Sequence, residues 1–221
     1  MPTWEVICLA NSWKHGGRCV AGLRLDGGGW VRPISREPGG VLQPWHYTLA
    51  SGGEAAVGDT LQMRLTQPWP DPHHPENWCM DYGLWTLVAR PLPLSARAFL
   101  ANSVITSPAL LGDSEDRVAY QSLLNHPAST SLALVRPEGL HWEIRKSPSS
   151  GKRQNRAVFC LGGVWYNLPL TDPLVLNMLA PRPLGSYPDE RPDLLLTISL
   201  SEPFERDGFC YKLVAAVISL S

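Results

Sequence analysis

Short runs of alternating or continuous apolar residues, broken by glycine and proline, make up most of this chain. In the first half these runs lie at 4–10, 18–25, 30–34, 61–66 and 78–88. In the second half they lie at 131–135, 141–146, 157–161, 164–170, 194–200 and 211–220. Such runs are typical of β-strands, and the 19 glycines and 21 prolines supply turns between them. The pattern predicts an all-β chain.

Only two segments have a pattern compatible with helices, and both lie in the middle of the chain. They are 95–101 and 113–125. The second offers Asp113 or Ser114 as an N-cap, with acidic residues in its first turn. We therefore expect three parts: an N-terminal domain at 1–92, a helical connection at 93–127 and a C-terminal domain at 128–221.

The two halves repeat one order of features. GLRLDGGGWVRPIS in the first half and FCLGGVWYNLPLTD in the second each contain a strand, a glycine turn, an aromatic residue and a strand. Each is followed by an alternating strand that ends in proline and an aromatic residue, LQMRLTQPW or LLTISLSEPF, and then by a closing strand. The repeat predicts two tandem OB-like small β-barrels joined by a short helical linker.

Composition and charge narrow the range of partners. Lys and Arg total 19 against 20 Asp and Glu, whereas proteins that bind long duplex DNA carry a clear basic excess. No apolar run approaches the roughly 20 residues that cross a bilayer, and the start of the chain lacks the pattern of a signal peptide. The five scattered cysteines form no C-x-x-C pair and indicate reduced thiols. We expect a cytoplasmic protein with no membrane partner.

The loop NSWKHGGR, between the first two predicted strands, is the first candidate binding surface. Asn11, Ser12, Lys14 and Arg18 place an amide, a hydroxyl and two cations beside a glycine pair, which suits contact with a phosphate. Arg32, on the returning strand, is expected to converge on the same mouth. The alternative is a polar hairpin whose glycines serve only the turn. The loop is not a P-loop, because the G-x-x-x-x-G-K-[ST] spacing is absent.

Nine tryptophans form the second candidate. OB barrels bind single-stranded nucleic acid by stacking bases on aromatic side chains beside Arg and Lys. Tryptophan and a cation lie close in sequence at Trp13 with Lys14, Trp30 with Arg32, and Trp142 with Arg145. Small β-barrels also fill their cores with tryptophan. We therefore expect one or two exposed platforms, with Trp13 in its glycine-rich loop as the first choice.

The segment HWEIRKSPSSGKRQNR is the third candidate. Its five cations are Arg145, Lys146, Lys152, Arg153 and Arg156, and Glu143 is the acid nearby. If the segment forms a hairpin, its tip is a cationic finger of the kind that grips nucleic acid strands in OB folds. The alternative is an ordinary solvated hairpin.

The segment PHHPENWC contains His73, His74, Glu76 and Cys79, which suggests a zinc site. However, adjacent histidines point in different directions on an extended chain, and no zinc-binding spacing is present. We expect no metal site and no cofactor here. Glu76 and Asn77 are expected to fix the loop or to line the mouth of a ligand site.

The segments ICLANSWKHGGRCVAGLRL and GWVRPIS resemble the start of the dual OB-containing domain family. PENWCMDYGLW, YNLPLTDP and LSEPFERDGFCYKLVAAVI are also similar to it, so the resemblance covers nearly the whole chain. The family consists of bacterial proteins of about this size with two tandem OB-like barrels. The resemblance implies that fold and an association with nucleic acid or nucleotides, and it carries over no catalytic residue.

Three hypotheses about function follow. The first is a non-catalytic module that binds single-stranded nucleic acid or a nucleotide-like ligand, with modest affinity because the net charge is near zero. The second is a metal-dependent enzyme acting on nucleotides or nucleic acid, with Asp172, Glu202 or Glu76 as carboxylates, although an acid before proline is more often a turn-former. The third is a protein-interaction adaptor with an operon-encoded partner in a defence-type system.

Overall fold

A computed structural model describes residues 1–90, 93–148 and 150–220, and the chain folds into two compact units, Met1–Ser103 and Val104–Ser221. Both units are built mainly of strands, as the alternating patterns predict. Among the described residues, no helix is both long enough and apolar enough to cross a bilayer. The division between the units falls inside the predicted connection 93–127.

The first unit contains a closed five-stranded barrel. The strands of the unit are β1 (Thr3–Lys14), β2 (Gly17–Arg24), β3 (Trp30–Ile34), β4 (Thr60–Pro68), β5 (Asn77–Met80) and β6 (Thr86–Ala89), and the first five form the barrel. Strands pair in the order β1-β2-β3-β5-β4, and β4 pairs back with β1 to close the barrel. The β3–β5 pair is parallel and the others are antiparallel, while β6 extends from β4. Helices α1 (Pro44–Tyr47) and α2 (Leu94–Asn102) and a 3-10 turn (Pro38–Gly40) complete it.

Strand alternation fills this barrel with apolar side chains. On β4, Leu61, Met63 and Leu65 are buried, whereas Gln62 and Arg64 between them are exposed. The inward side chains form one cluster with residues of the other strands and loops, among them Val6, Cys8, Val20, Val31, Leu42 and Trp85. Burial raises the pKa of the Cys8 thiol to about 12, and the nearby carboxylate of Asp59 adds to the effect. This thiol is an inert core group.

The second unit consists of two four-stranded sheets. Its strands are β7 (Arg117–Ala119), β8 (Leu132–Val135), β9 (Glu138–Lys146), β10 (Arg153–Leu161), β11 (Val164–Pro169), β12 (Gly185–Pro188), β13 (Leu194–Pro203) and β14 (Phe209–Ser219). The sheet orders are β11-β10-β9-β12 and β7-β14-β13-β8. A parallel bridge between Leu170 and Val214 links them. Only Arg136 and Pro137 separate β8 from β9, so the chain bends from one sheet into the other and forms a half-barrel.

The helix predicted at 113–125 is largely wrong. Helix α3 covers only Tyr120–Asn125, because Arg117–Ala119 forms β7 and pairs with β14. Asp113 does not cap a helix, since its carboxylate accepts a 2.6 Å hydrogen bond from the buried ammonium of Lys212. Tertiary pairing therefore overrides the local N-cap pattern. The helix predicted at 95–101 is confirmed as α2.

Helix α4 (Pro173–Leu179) follows β11 in the second unit and begins at a strong cap. Asp172 is the N-cap, and its Oδ1 accepts hydrogen bonds from the backbone N–H groups of Leu174 and Val175 at 2.8 and 3.2 Å. Pro173 occupies the first turn, where its missing N–H costs nothing. The cap fixes where the chain leaves the sheet.

We expect Gly22→Ala to destabilise the first unit. Gly22 lies opposite Cys8 at an irregularity in the β1–β2 pair, and a Cβ there would lie 2.2 Å from the backbone oxygen of Ile7. Because main chain would have to move, we expect a loss of roughly 1–3 kcal/mol in the free energy of unfolding. Gly83→Ala is the control, since its Cβ would meet nothing within 4 Å. Equal unfolding midpoints in urea for the two variants would contradict the prediction.

Candidate functional site

The outward side of the β9–β10–β11 meander carries most of the polar chemistry of the second unit. Trp142 and Ile144 of β9 point into the core, so His141, Glu143 and Arg145 point out. The pairing register places further outward residues beside them on the neighbouring strands. We call this surface the outer face; its members are His141, Glu143, Arg145, Arg156, Val158, Cys160, Trp165 and Asn167.

Trp165 is an aromatic platform at one end of the outer face. Its side chain is 62% exposed. The ring reaches across the sheet to β9, where a Cβ on Gly139 would lie 3.3 Å from it, and the ring centroid of His141 is 6.5 Å away. Gly139 has a positive φ of 61° and leaves room for the ring. The indole is therefore supported from beneath and open above.

A polar network crosses the three strands in the middle of the outer face. The side-chain amide of Asn167 donates a 2.7 Å hydrogen bond to Glu143, and the guanidinium of Arg156 donates to both the side-chain and the backbone oxygen of Asn167. Arg145 lies 3.6 Å from Glu143. Burial lowers the pKa of Arg156, and the positive charge of Arg145 lowers it further. Two guanidiniums share the carboxylate of Glu143, and the nearby carboxylate of Asp116 also acts on Arg156, so the charges around the network are close to balanced.

The tip of the β9–β10 hairpin is cationic, as predicted for this segment. Lys146 and Lys152 are exposed on either side of the turn. Arg153 instead donates hydrogen bonds of 2.9 and 2.8 Å to the backbone oxygens of Arg182 and Leu179, at the end of α4. Its charge therefore offsets the negative end of the helix dipole. Arg153 and Arg156 therefore make hydrogen bonds within the second unit, whereas Lys146 and Lys152 are exposed.

Trp142 is the predicted aromatic residue that the structure places out of reach. It is 2% exposed, and its indole N–H donates a 3.0 Å hydrogen bond to Asp189. Three positions separate Trp142 from Arg145, and an odd spacing on a strand puts two side chains on opposite faces. The same rule places Trp165 on the outer face. Trp165 of β11 pairs with Cys160 of β10, which points outward, and paired residues lie on the same side of a sheet. Sequence reasoning missed Trp165, although alternation within 164–170 contained the signal.

A groove of about 620 Å³ adjoins the outer face at His141 and Gly139. Two ion pairs line it, Arg136 with Asp193 at 3.2 Å and Arg191 with Asp189 at 2.6 Å. Burial of Asp189 opposes ionisation, but hydrogen bonds from Arg191 and Trp142 hold the pKa of its carboxyl below the usual range. The groove therefore offers polar groups with balanced charge.

The β1–β2 hairpin of the first unit presents Trp13 at the surface, as predicted, but the expected number of one or two exposed tryptophans is wrong, because Trp45, Trp69 and Trp165 are exposed as well. Trp13 is 57% exposed, and the guanidinium carbon of Arg18 lies 3.9 Å from its ring centroid. Glu54 accepts a 3.1 Å hydrogen bond from Nη2 of that guanidinium and forms an ion pair with it whose Nε–Oε1 distance is 2.7 Å, and Asn11 donates to Glu54 at 2.8 Å. Arg18 is therefore neutralised by an acid from another loop. The flat face of the Arg18 guanidinium therefore enlarges the stacking surface at Trp13 but contributes little net charge.

The remaining residues predicted for the first unit do not gather at one mouth. Lys14 donates a 2.6 Å hydrogen bond to the backbone oxygen of Gly39. Ser12 and Arg32 are buried, and Trp30 is half-buried. Arg32 is 2% exposed, and its backbone pairs with Asn77 in the parallel β3–β5 ladder. The expected convergence of Arg32 on an open mouth is therefore wrong.

The loop between β4 and β5 is folded tightly on itself. Asp71 Oδ1 accepts hydrogen bonds from the backbone N–H groups of His73 and His74, and Asp71 Oδ2 accepts from the side-chain amide of Asn77 at 3.1 Å. The backbone oxygen of Glu76 accepts from Arg32 at 2.9 Å. The premise that the two histidines diverge is wrong, because their ring centroids are 4.1 Å apart in a turn.

The two carboxylates of the second unit that the enzyme hypothesis names, Asp172 and Glu202, lie near opposite ends of the β13–β14 pair. Asp172 is 3% exposed, and besides capping α4 its Oδ2 accepts from the backbone N–H of Val217 at 2.8 Å. Glu202 lies half-buried on β13. Both carboxylate oxygens of Asp172 thus accept hydrogen bonds from backbone N–H groups. This acid before proline is therefore a structural residue.

Comparison with known proteins adds the family. Residues 4–217 match the family described as the dual OB-containing domain, which covers nearly the whole chain and confirms the resemblance seen in its segments. No curated protein and no solved structure matches the chain.

We expect Asp172→Ala to lower stability. The change removes an N-cap, which is worth about 0.5–2 kcal/mol, and leaves the N–H of Val217 without its acceptor, which costs about 1–3 kcal/mol. A loss of roughly 2–4 kcal/mol in the free energy of unfolding should therefore appear in urea titrations monitored by circular dichroism. Glu205→Ala, at an exposed acid of the second unit, is the control and should change it by less than about 1 kcal/mol. Unchanged stability in Asp172→Ala would contradict the structural role.

Proposed function

The chain belongs to the dual OB-containing domain family, and on that premise we propose that it is a non-catalytic module that binds single-stranded nucleic acid. The observation that carries the proposal is the exposed ring of Trp165 on the same sheet face as His141 and Arg145, with a cationic hairpin tip at the far end of β9. Because folds of this kind serve many functions, the argument rests on this surface.

Stacking supplies the sequence-tolerant part of the binding energy. A base that stacks on an aromatic side chain contributes about 1–3 kcal/mol. Trp165 is held against Gly139 and lies near His141, so little conformational freedom is lost when a base covers it. Bases of a duplex are already stacked, and this explains a preference for single strands.

Cations along β9 supply the phosphate contacts. From His141 to Lys146 the strand spans about 17 Å, which accommodates a short stretch of an extended nucleic acid strand. Arg145 lies within this span, and Lys152 lies beyond its end, across the hairpin turn. The strand of nucleic acid would run from Trp165 towards the hairpin tip, with its phosphates over these cations.

Modest affinity follows from the charge balance of this surface. Glu143 offsets Arg145, and Arg153 is bonded to the end of α4. About two phosphate contacts then remain, and these give a slope of about −1.4 for the logarithm of affinity against the logarithm of salt concentration on single strands. The Trp13–Arg18 pair of the first unit offers a separate stacking surface.

We expect Trp165→Leu to weaken binding roughly 5- to 150-fold, the equivalent of one stacked base. The measurement is fluorescence anisotropy of a labelled oligonucleotide of about 16 nucleotides, the upper site size of one OB fold. Trp69→Leu is the matched control, because Trp69 is also exposed but lies in the first unit. If Trp165→Leu binds like the wild type while Trp13→Leu fails, the site lies on the β1–β2 hairpin instead. No binding by the folded wild type would refute the function.

We expect Glu143→Gln to strengthen binding about 2- to 5-fold at low salt, in line with the energies of half-exposed charge pairs. Glutamine keeps an acceptor for Asn167 but removes the charge that offsets Arg145. Glu115→Gln removes the same charge from an exposed position outside the outer face and serves as the control. Equal gains in both variants would show a general charge effect and would contradict this site.

A further inference from the structure

We propose that the loop between β4 and β5 binds a divalent transition-metal ion of the zinc type through Asp71, His73 and His74. One ligand atom from each side chain, a carboxylate oxygen and two ring nitrogens, lies within 4.8 Å of the others. Two imidazoles and one carboxylate are a common ligand set for such ions, with a fourth position left for water or another ligand.

The turn explains how neighbouring histidines converge. Backbone hydrogen bonds join Asp71 and His74 in both directions, at 3.1 and 3.4 Å, and reverse the chain between them. The Asp71 carboxylate binds the backbone N–H groups of both histidines, which fixes the acid at the centre of the turn. Pro70, Pro72 and Pro75 restrict the backbone around it. The ligand set is thus preorganised by local sequence.

Burial distinguishes this cluster from surface histidines. His73 and His74 are 7% and 3% exposed, whereas about a third of the Asp71 side chain is open to solvent. An ion held by the two imidazoles and the carboxylate would therefore lie in a partly enclosed site. The ion would enter from the side of Asp71, where the open coordination position would also lie.

A further side chain orients the acid. Asn77, the first residue of β5, donates its amide hydrogen to Asp71 Oδ2, while Asp71 Oδ1 lies 2.7 Å from His73 Nδ1. Outer hydrogen bonds of this kind hold metal-binding carboxylates in place. Through Asn77 the bound ion would connect the loop to the barrel.

The donor atoms select the class of metal. Imidazole nitrogen suits Zn²⁺, Co²⁺, Ni²⁺ and Cu²⁺, whereas Mg²⁺ and Ca²⁺ prefer sites made only of oxygen. Ligands of a tetrahedral zinc site lie about 3.4 Å apart, so the widest separation in the cluster must shrink by about 1.4 Å. Rotation of the two rings about their side-chain bonds supplies a movement of this size.

The test is titration of the full-length wild-type protein with Co²⁺ at neutral pH, followed by visible absorption. We expect saturable binding of one equivalent with the intense visible bands of tetrahedral cobalt, and loss of the bands when Zn²⁺ is added. In NMR spectra of the same protein, paramagnetic broadening should centre on residues 69–77. Absence of saturable binding, or broadening centred elsewhere, would overturn the proposal without reference to any variant.

Two variants test the ligands individually. Asp71→Asn keeps an oxygen for the backbone hydrogen bonds of the turn but loses the charge, and His74→Gln removes one imidazole. Each should weaken Co²⁺ binding at least about 10-fold while circular dichroism stays that of a folded protein. His126→Ala removes an exposed histidine of the second unit and should bind as the wild type does. Unchanged binding in both Asp71→Asn and His74→Gln would overturn the assignment.

Discussion

The two-residue period of the β-strand governs both the core and the binding surface of this protein. In the second unit, side chains along the β9–β10–β11 meander alternate between the two sides of the sheet. Trp142 and Phe159 point into the core, whereas Arg145 and Trp165 point outward. A shift of one residue in register would bury the cations and expose the core. The strand register that packs the core therefore also determines which residues lie on the outer face.

Internal partners take up much of the positive charge of this chain. Arg18 binds Glu54, Arg153 binds the end of α4, Arg156 binds Asn167, and Lys212 binds Asp113. Each pairing fixes a loop or strand end, because a buried cation needs acceptors to offset lost hydration. A count of Lys and Arg in sequence thus overstates the charge available to a phosphate. The proposed recognition of nucleic acid on this surface would therefore rely on stacking as much as on charge.

Short carboxylate-centred turns organise the loops of both units. Asp71 gathers backbone N–H groups in the β4–β5 loop, and Asp172 does so where α4 begins. The two differ in their surroundings. Asp71 stands beside two histidines and Asp172 beside backbone only, so similar local geometry leads to a candidate metal centre in one place and to a helix cap in the other.

The pattern of apolar positions alone determined the all-β class, the tandem arrangement, helix α2 and the exposure of Trp13, because these depend on period and on nearby turn residues. The strand at Arg117–Ala119, the burial of Arg32, and the pairing of Arg18 with Glu54 were decided by tertiary structure. Each of these depends on a partner far along the chain, and a local pattern carries no information about distant partners. Trp165 is an intermediate case. The alternation along its strand indicates from sequence which way its side chain points, but only the folded sheet shows that nothing covers it.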